Sequence, residues 1–192
     1  MTLAVVTPPA QELLDASDTV LRQQLELEPD ETDRDDLLSA FCAAARQRVE
    51  DYTRRRLITQ TLRVRRDDFG CPSINLGVAP VGSVSAVRYL DFDGTWQTVS
   101  TDRYRLVTSI EPAAVEPEYG QVWPVPRTDR DTVEVEFVAG YGADAAAVPP
   151  NLVHAVRLLV AYMFEHREAD PSEKDEMPAS VRAMLGPWRI WV

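Results

Sequence analysis

The hydrophobic period of this chain changes twice, and those changes constrain the fold more than any single motif. Leu37, Leu38, Phe41, Ala45, Val49 and Tyr52 recur three or four residues apart, the spacing of one face of an α-helix. The pattern predicts a helix over 32–54, with Thr32 and Asp35 as a capping box and Glu50 four residues from both Arg46 and Arg54. After Arg54-Arg55-Arg56 the period drops to two: Leu62 and Val64 fall on one side, Thr61, Arg63 and Arg65 on the other. Strand candidates follow at 83–91, 96–99, 104–107, 113–115, 121–123 and 132–138, with Asp93-Gly94 as a hairpin signal. At Pro149-Pro150 the helical period returns, and Leu152, Val153, Val156, Leu159, Val160, Met163 and Phe164 cover much of one helix.

Shorter helices are expected from Ser17, as cap, to Leu27, and from Pro178 through Met184 and Leu185 to the stop at Gly186-Pro187. Residues 1–12 read as an extended arm, because Pro8 and Pro9 oppose regular structure. The expected fold class is α+β: a helical bundle of about four helices with a β-rich insertion between the second and third. The expected organisation is one domain over 1–192, with helical parts at 1–58 and 148–185, the insertion at 59–142 and a tail at 186–192. A chain of 192 residues can bury about 70% of its extended surface, enough to fold without staples.

Charge and composition narrow the function. The net charge is −11, which disfavours a free-standing nucleic-acid binder, since that role needs a cationic face to release counterions. Lys174 is the only lysine; an arginine- and alanine-rich chain is what a GC-rich genome encodes by default. Cys42 and Cys71 make neither a disulfide framework nor a zinc cluster, and free thiols suit cytoplasmic synthesis. The start MTLAVVTPPA lacks the basic and apolar regions of a signal peptide. No apolar run approaches the ~20 residues that cross a bilayer, so no membrane partner is expected.

Nothing in the sequence assembles a catalytic centre, and neither a cofactor nor a metal is expected. His154 and His166 are more than three turns apart, too far to share a metal within one helix. No serine sits in a nucleophile elbow, and Gly140-Tyr141-Gly142 reads as a strand-to-helix turn. The acidic run from Glu26 to Asp36 lacks the glycine and ligand order of a calcium loop and reads as a solvated segment. The basic cluster of Arg54, Arg55, Arg56, Arg63, Arg65 and Arg66 reads as a helix end and strand face paired with acids, its own or a neighbouring subunit's. The end Trp188-Arg189-Ile190-Trp191-Val192 is unusually apolar and must pack, either on its own domain or on a partner.

The order of these segments resembles a known family. A long helix ends in Ala43-Ala-Ala-Arg-Gln-Arg-Val-Glu-Asp-Tyr-Thr53 and leads to Arg56-Leu-Ile-Thr-Gln-Thr61. Ala79-Pro-Val-Gly-Ser-Val84, the Tyr89-Leu-Asp-Phe-Asp-Gly94 hairpin, Trp123-Pro124, Ala139-Gly-Tyr-Gly142 and Val148-Pro-Pro-Asn-Leu152 follow. From about residue 8 to 189 the chain resembles the head–tail connector (adaptor) family of siphophages, prophages and gene transfer agents. The family's usual Pro-Tyr-Arg ending is matched by Pro187-Trp188-Arg189, with three residues beyond it.

The resemblance implies a non-enzymatic ring, usually of twelve copies, beneath the portal at the neck of the particle. Its partners would be the portal protein, neighbouring copies and the next neck, stopper or tail protein, with DNA passing through the bore without specific binding. It implies subunit packing through the bundle, here Leu38, Phe41, Ala45, Val49, Tyr52, Val156, Leu159 and Met163. It also implies portal docking through Val181, Met184, Leu185, Pro187, Trp188, Arg189, Ile190, Trp191 and Val192. The competing expectations are a stopper or tail terminator and, further off, a small hydrolase. Duplex DNA is expected to leave the protein unbound at every salt concentration; micromolar binding through the Arg54–Arg66 cluster, read by fluorescence anisotropy, is the result that refutes this.

Overall fold

The computed structural model of the chain describes residues 2–28, 30–70, 72–166 and 177–191. They divide into a β unit (Met1–Ala10, Thr59–Tyr141 and Ile190–Val192) and a helical unit (Gln11–Ile58 and Gly142–Arg189). The mixed class and the β-rich stretch between the second and third helices agree with the sequence expectation.

Within the described residues the β unit contains β1 (Thr2–Thr7), β2 (Gln60–Arg66), β3 (Ile74–Asn75), β4 (Val81–Leu90), β5 (Trp96–Thr98), β6 (Tyr104–Val107), β7 (Ala114–Pro117) and β8 (Val133–Ala139). One antiparallel sheet runs β1-β2-β8-β4-β5 and a smaller one runs β3-β7-β6. Alternation decides the faces: Leu62, Val64, Val87, Val133, Val135 and Phe137 enter a core shared with Ile74, Leu76 and Val115. The hairpin predicted at Asp93-Gly94 joins β4 to β5, with Gly94 at φ +82.

Two expectations fail here for physical reasons. The arm is largely strand, since β1 pairs antiparallel with β2 from Thr2↔Arg65 to Thr7↔Thr61. Pro8 and Pro9 follow this uncharged, β-branched run rather than interrupting it. Residues 121–123 are not a strand. Side chains pin them instead: the Trp123 ring stacks on Phe69 at 4.7 Å and its Nε1 donates to the Pro72 carbonyl at 3.3 Å. Arg103 holds the Gln121 side chain and the Val122 carbonyl.

The helical unit contains α1 (Thr19–Gln24), α2 (Asp35–Thr53), α3 (Pro150–Glu165) and α4 (Ala179–Leu185). α2 packs on α3, α4 packs on both, and α1 packs on α3. Leu21, Leu38, Ala45, Val49, Leu152, Val156, Leu159, Val181 and Leu185 are buried. Cys42 is a free thiol inside this core, and burial, with acids nearby, pushes its pKa up to about 12. Cys71 lies outside the described residues.

The helix starts differ from expectation because other side chains do the capping. Asp18, not Ser17, caps α1, accepting the Leu21 amide at 2.7 Å; Ser17 bonds to Asp15. α2 begins at Asp35 with no side-chain cap, and Thr32 contributes only its carbonyl to the Asp35 amide. Arg22 explains the geometry of the acidic run. Its guanidinium donates to the carbonyls of Ala16 (3.0 Å), Glu28 (2.7 Å) and Glu31 (2.5 Å) and to the Asp35 carboxylate (2.8 Å). The segment is thus folded around one buried cation.

Asp18 also receives Arg157 of α3 in two hydrogen bonds, at 3.1 and 2.9 Å, which ties the start of α1 to α3. Burial raises the Asp18 pKa, but the bonds from Arg157 and the Leu21 amide outweigh it and leave the carboxyl below its ordinary 3.8. A depressed folded pKa contributes stability that is complete above the unfolded pKa and is lost as pH falls through the folded one. Asp18→Ala is expected to cost about 1–2 kcal/mol at neutral pH. The gap from wild type should close below about pH 4, both effects being read from urea unfolding curves.

Candidate functional site

The C-terminal segment is the strongest sequence-level site, and in the helical unit its position depends on the end of α2. Glu50 is 3% exposed there, although the sequence reading placed it in an ordinary four-residue ion pair. One of its carboxylate oxygens accepts Arg46 at 3.0 Å and faces Arg56 at 3.5 Å; the other accepts the Leu57 amide at 2.8 Å. Arg46 is itself 5% exposed and reaches Glu12 at 2.5 Å. Burial disfavours the Arg46 charge, but Glu12 and Glu50 more than restore it and raise its pKa.

Arg54 does not pair with Glu50 as expected: it takes the left-handed conformation, φ +56, and ends the helix. That reversal turns Arg55 toward the C-terminal segment. Its Nε donates to the Trp188 carbonyl at 2.7 Å, and its guanidinium lies 5.7 Å from the Trp188 ring centre. Arg189 stacks in turn over Tyr52, 5.0 Å from the ring centre. α4 stops at Leu185, as the Gly186-Pro187 signal predicts, and a 3-10 turn over Gly186–Trp188 follows it.

The nine docking candidates therefore have different surroundings. Val181 and Leu185 are buried in the helical unit, and Ile190 is buried in the β unit. Met184 and Trp188 are half-buried, Pro187 and Arg189 exposed, and Trp191 is 76% exposed. Val192 lies outside the described residues. Of the eight bundle candidates, Leu38, Ala45, Val49, Val156 and Leu159 are buried within this chain's own helical unit, while Phe41, Tyr52 and Met163 are half-buried.

The basic cluster resolves into separate structures. Arg55 and Arg56 serve the end of α2, as above. Arg63 and Arg65 stand on the outer face of the large sheet. Glu134 of β8 lies opposite Arg65 on β2 and opposite Arg88 on β4. It meets Arg65 at 2.9 Å, Arg88 at 3.2 Å and Arg63 at 3.2 Å, while Arg63 also reaches Glu136 at 3.0 Å. The fractional side-chain exposures are 30%, 44% and 38% for Arg63, Arg65 and Arg88 against 6% for Glu134, so the cations face outward around a sunken carboxylate.

His154 is exposed, and His166 stacks on Tyr162 with its Nδ1 2.9 Å from the Tyr162 carbonyl oxygen. Among the described residues, no three His, Cys, Asp or Glu side chains are placed to share a metal ion, and no helix is long and apolar enough to cross a membrane.

No protein-family profile matches the sequence, and no curated protein does. Solved structures do. Over 100% of this chain and 97% of the other, the chain is similar at 29% identity and a TM-score of 0.82 to a protein in the neck of an empty gene transfer agent particle, computed with C6 symmetry. At the same identity and coverage the TM-score is 0.79 both to a chain in the neck of a native particle with C12 symmetry and to one in the virion of a native particle.

Removing the Glu50 carboxylate takes the acceptor from the buried Leu57 amide and the inner of two acidic partners from Arg46 and Arg56, which keep Glu12 and Asp51. Glu50→Ala is expected to cost about 3–5 kcal/mol in thermal or urea unfolding. Glu50→Gln, which keeps an acceptor for Leu57, should lose less.

Proposed function

We propose that this chain is a structural neck component of a gene-transfer-agent or phage-like particle, and within the neck the head–tail adaptor, a ring between the portal and the tail. The observation that carries this reading is the likeness to a neck protein of known structure over the full length of the chain. A match to one domain alone would speak only for a fold; this one spans both units. The C6 and C12 symmetries of those necks support a ring of copies here.

The bundle favours an adaptor over a stopper or tail terminator, for which a β-dominated chain is expected. The net charge of −11 suits a ring that lets DNA pass without retaining it. In this reading Val181 and Leu185 anchor α4 to its own core. The grip on the portal then falls to the outward side chains, Met184, Pro187, Arg189 and above all Trp191. Phe41, Tyr52 and Met163 are the bundle candidates left to meet a neighbouring copy.

Co-purification with the portal of the same particle tests the assignment. Met184→Ala with Trp191→Ala should weaken portal binding by about tenfold or more while leaving the melting temperature near that of wild type. Deleting residues 178–192 should abolish binding, although it also removes Val181 and Leu185 from the core. Undiminished binding in the double variant, together with binding after the deletion, rejects the tail as the docking element.

A further inference from the structure

We propose that the arginine-lined recess on the outer face of the large sheet receives the acidic segment Glu26–Asp36 of a second copy, forming a head-to-tail contact around the ring. The inference rests on the ring reading above and deepens it by naming the surfaces. Arg63, Arg65, Arg88, Trp96, Thr98 and Glu134 line the recess. Three guanidinium groups share two carboxylates there, Glu134 and Glu136, so the patch keeps a positive surplus in a chain of net charge −11. Glu134 is sunken at 6% exposure, whereas the arginine side chains around it are 30–44% exposed and open to a covering partner.

A closed ring of identical copies needs two different surfaces per copy that fit each other. The helical unit supplies a surface of the opposite sign. Within the acidic segment, Asp35 is engaged by Arg22 and Glu31 lies 3.6 Å from Arg34, whereas Glu26, Glu28, Asp33 and Asp36 are exposed. Arg22 fixes the backbone of this run through the Glu28 and Glu31 carbonyls, so the acids are presented by a held loop. Held carboxylates lose less entropy on meeting the arginine forks. Duplex DNA is the competing occupant of an arginine patch, but Glu134 and Glu136 already neutralise most of this one, and the rest of the chain repels phosphate.

Loading of the full-length protein onto portal rings, counted by native mass spectrometry, tests the contact. Glu28→Arg/Asp33→Arg, confined to exposed side chains, should lower ring loading about tenfold. Arg65→Gln/Arg88→Gln should lower it similarly and, with Glu134 left underpaired, must be shown folded by its unfolding curve. Joining the two sets should lower loading no further than either alone, because both remove one contact. Wild-type loading should also fall as salt is raised. Independent, multiplying losses, or rings formed normally by the acid-side variant, overturn the inference while leaving the adaptor reading intact. Loss confined to the arginine variant, together with lost duplex binding, assigns the patch to DNA and overturns it as well. Failure of the wild-type protein to form rings on the portal overturns both.

Discussion

A carboxylate at 3% exposure is tolerable only if its oxygens are occupied, and Glu50 has its occupants on both sides of a chain reversal. One is Arg46, a turn earlier on α2; another is the backbone amide of Leu57, beyond the left-handed Arg54. The geometry of residues 53–57 is held by that charge together with the Thr53 hydroxyl, which accepts the Arg55 amide at 3.3 Å, and the geometry sets the direction of Arg55. Without it, the donor that holds the Trp188 carbonyl would point elsewhere. The C-terminal segment inherits its place in the helical unit from an interaction well inside it.

Glu134 plays a related part in the β unit under looser conditions. It sits on the central strand with an arginine directly opposite on each neighbouring strand, so register alone brings the charges together. The apolar face of the same strands closes the core through Val133, Val135 and Phe137. The two acids differ in what surrounds them. Glu50 is closed in and structural, while the arginines around Glu134 remain partly open to solvent and available to another molecule.

Much of this was legible in the sequence because it rests on period. The alternation from Leu62 to Val64 and from Val133 to Val135 marked the sheet, and the spacing from Leu38 to Val49 and from Leu152 to Phe164 marked the two long helices. The strand β1 was not legible through Pro8-Pro9, which mark where it ends. Residues 121–123 have strand composition, but Trp123 turns onto Phe69 and the Gln121 amide closes a turn on the Glu118 carbonyl instead of joining a ladder. The role of Glu50 was hidden for a different reason: an exposed i, i+4 pair and a buried charge node have the same spacing. The tail was legible as apolar, yet which of its side chains face inward depends on partners more than a hundred residues away, as Arg55 and Trp188 illustrate.

Five of the six residues of β1 are exposed, with Leu3 the one that reaches toward the core of the unit. Backbone hydrogen bonds to β2, rather than buried side chains, hold it at the edge of the sheet. Peeling such a strand away uncovers little apolar surface, so its opening has a small dependence on denaturant and a free energy well below that of global unfolding. Its amides then exchange with solvent through a local fluctuation, while those of β8, central in the sheet, wait for the whole unit to open. The N-terminus thus forms a separate, softer layer of the energy landscape, decoupled from the core that the rest of the sheet encloses.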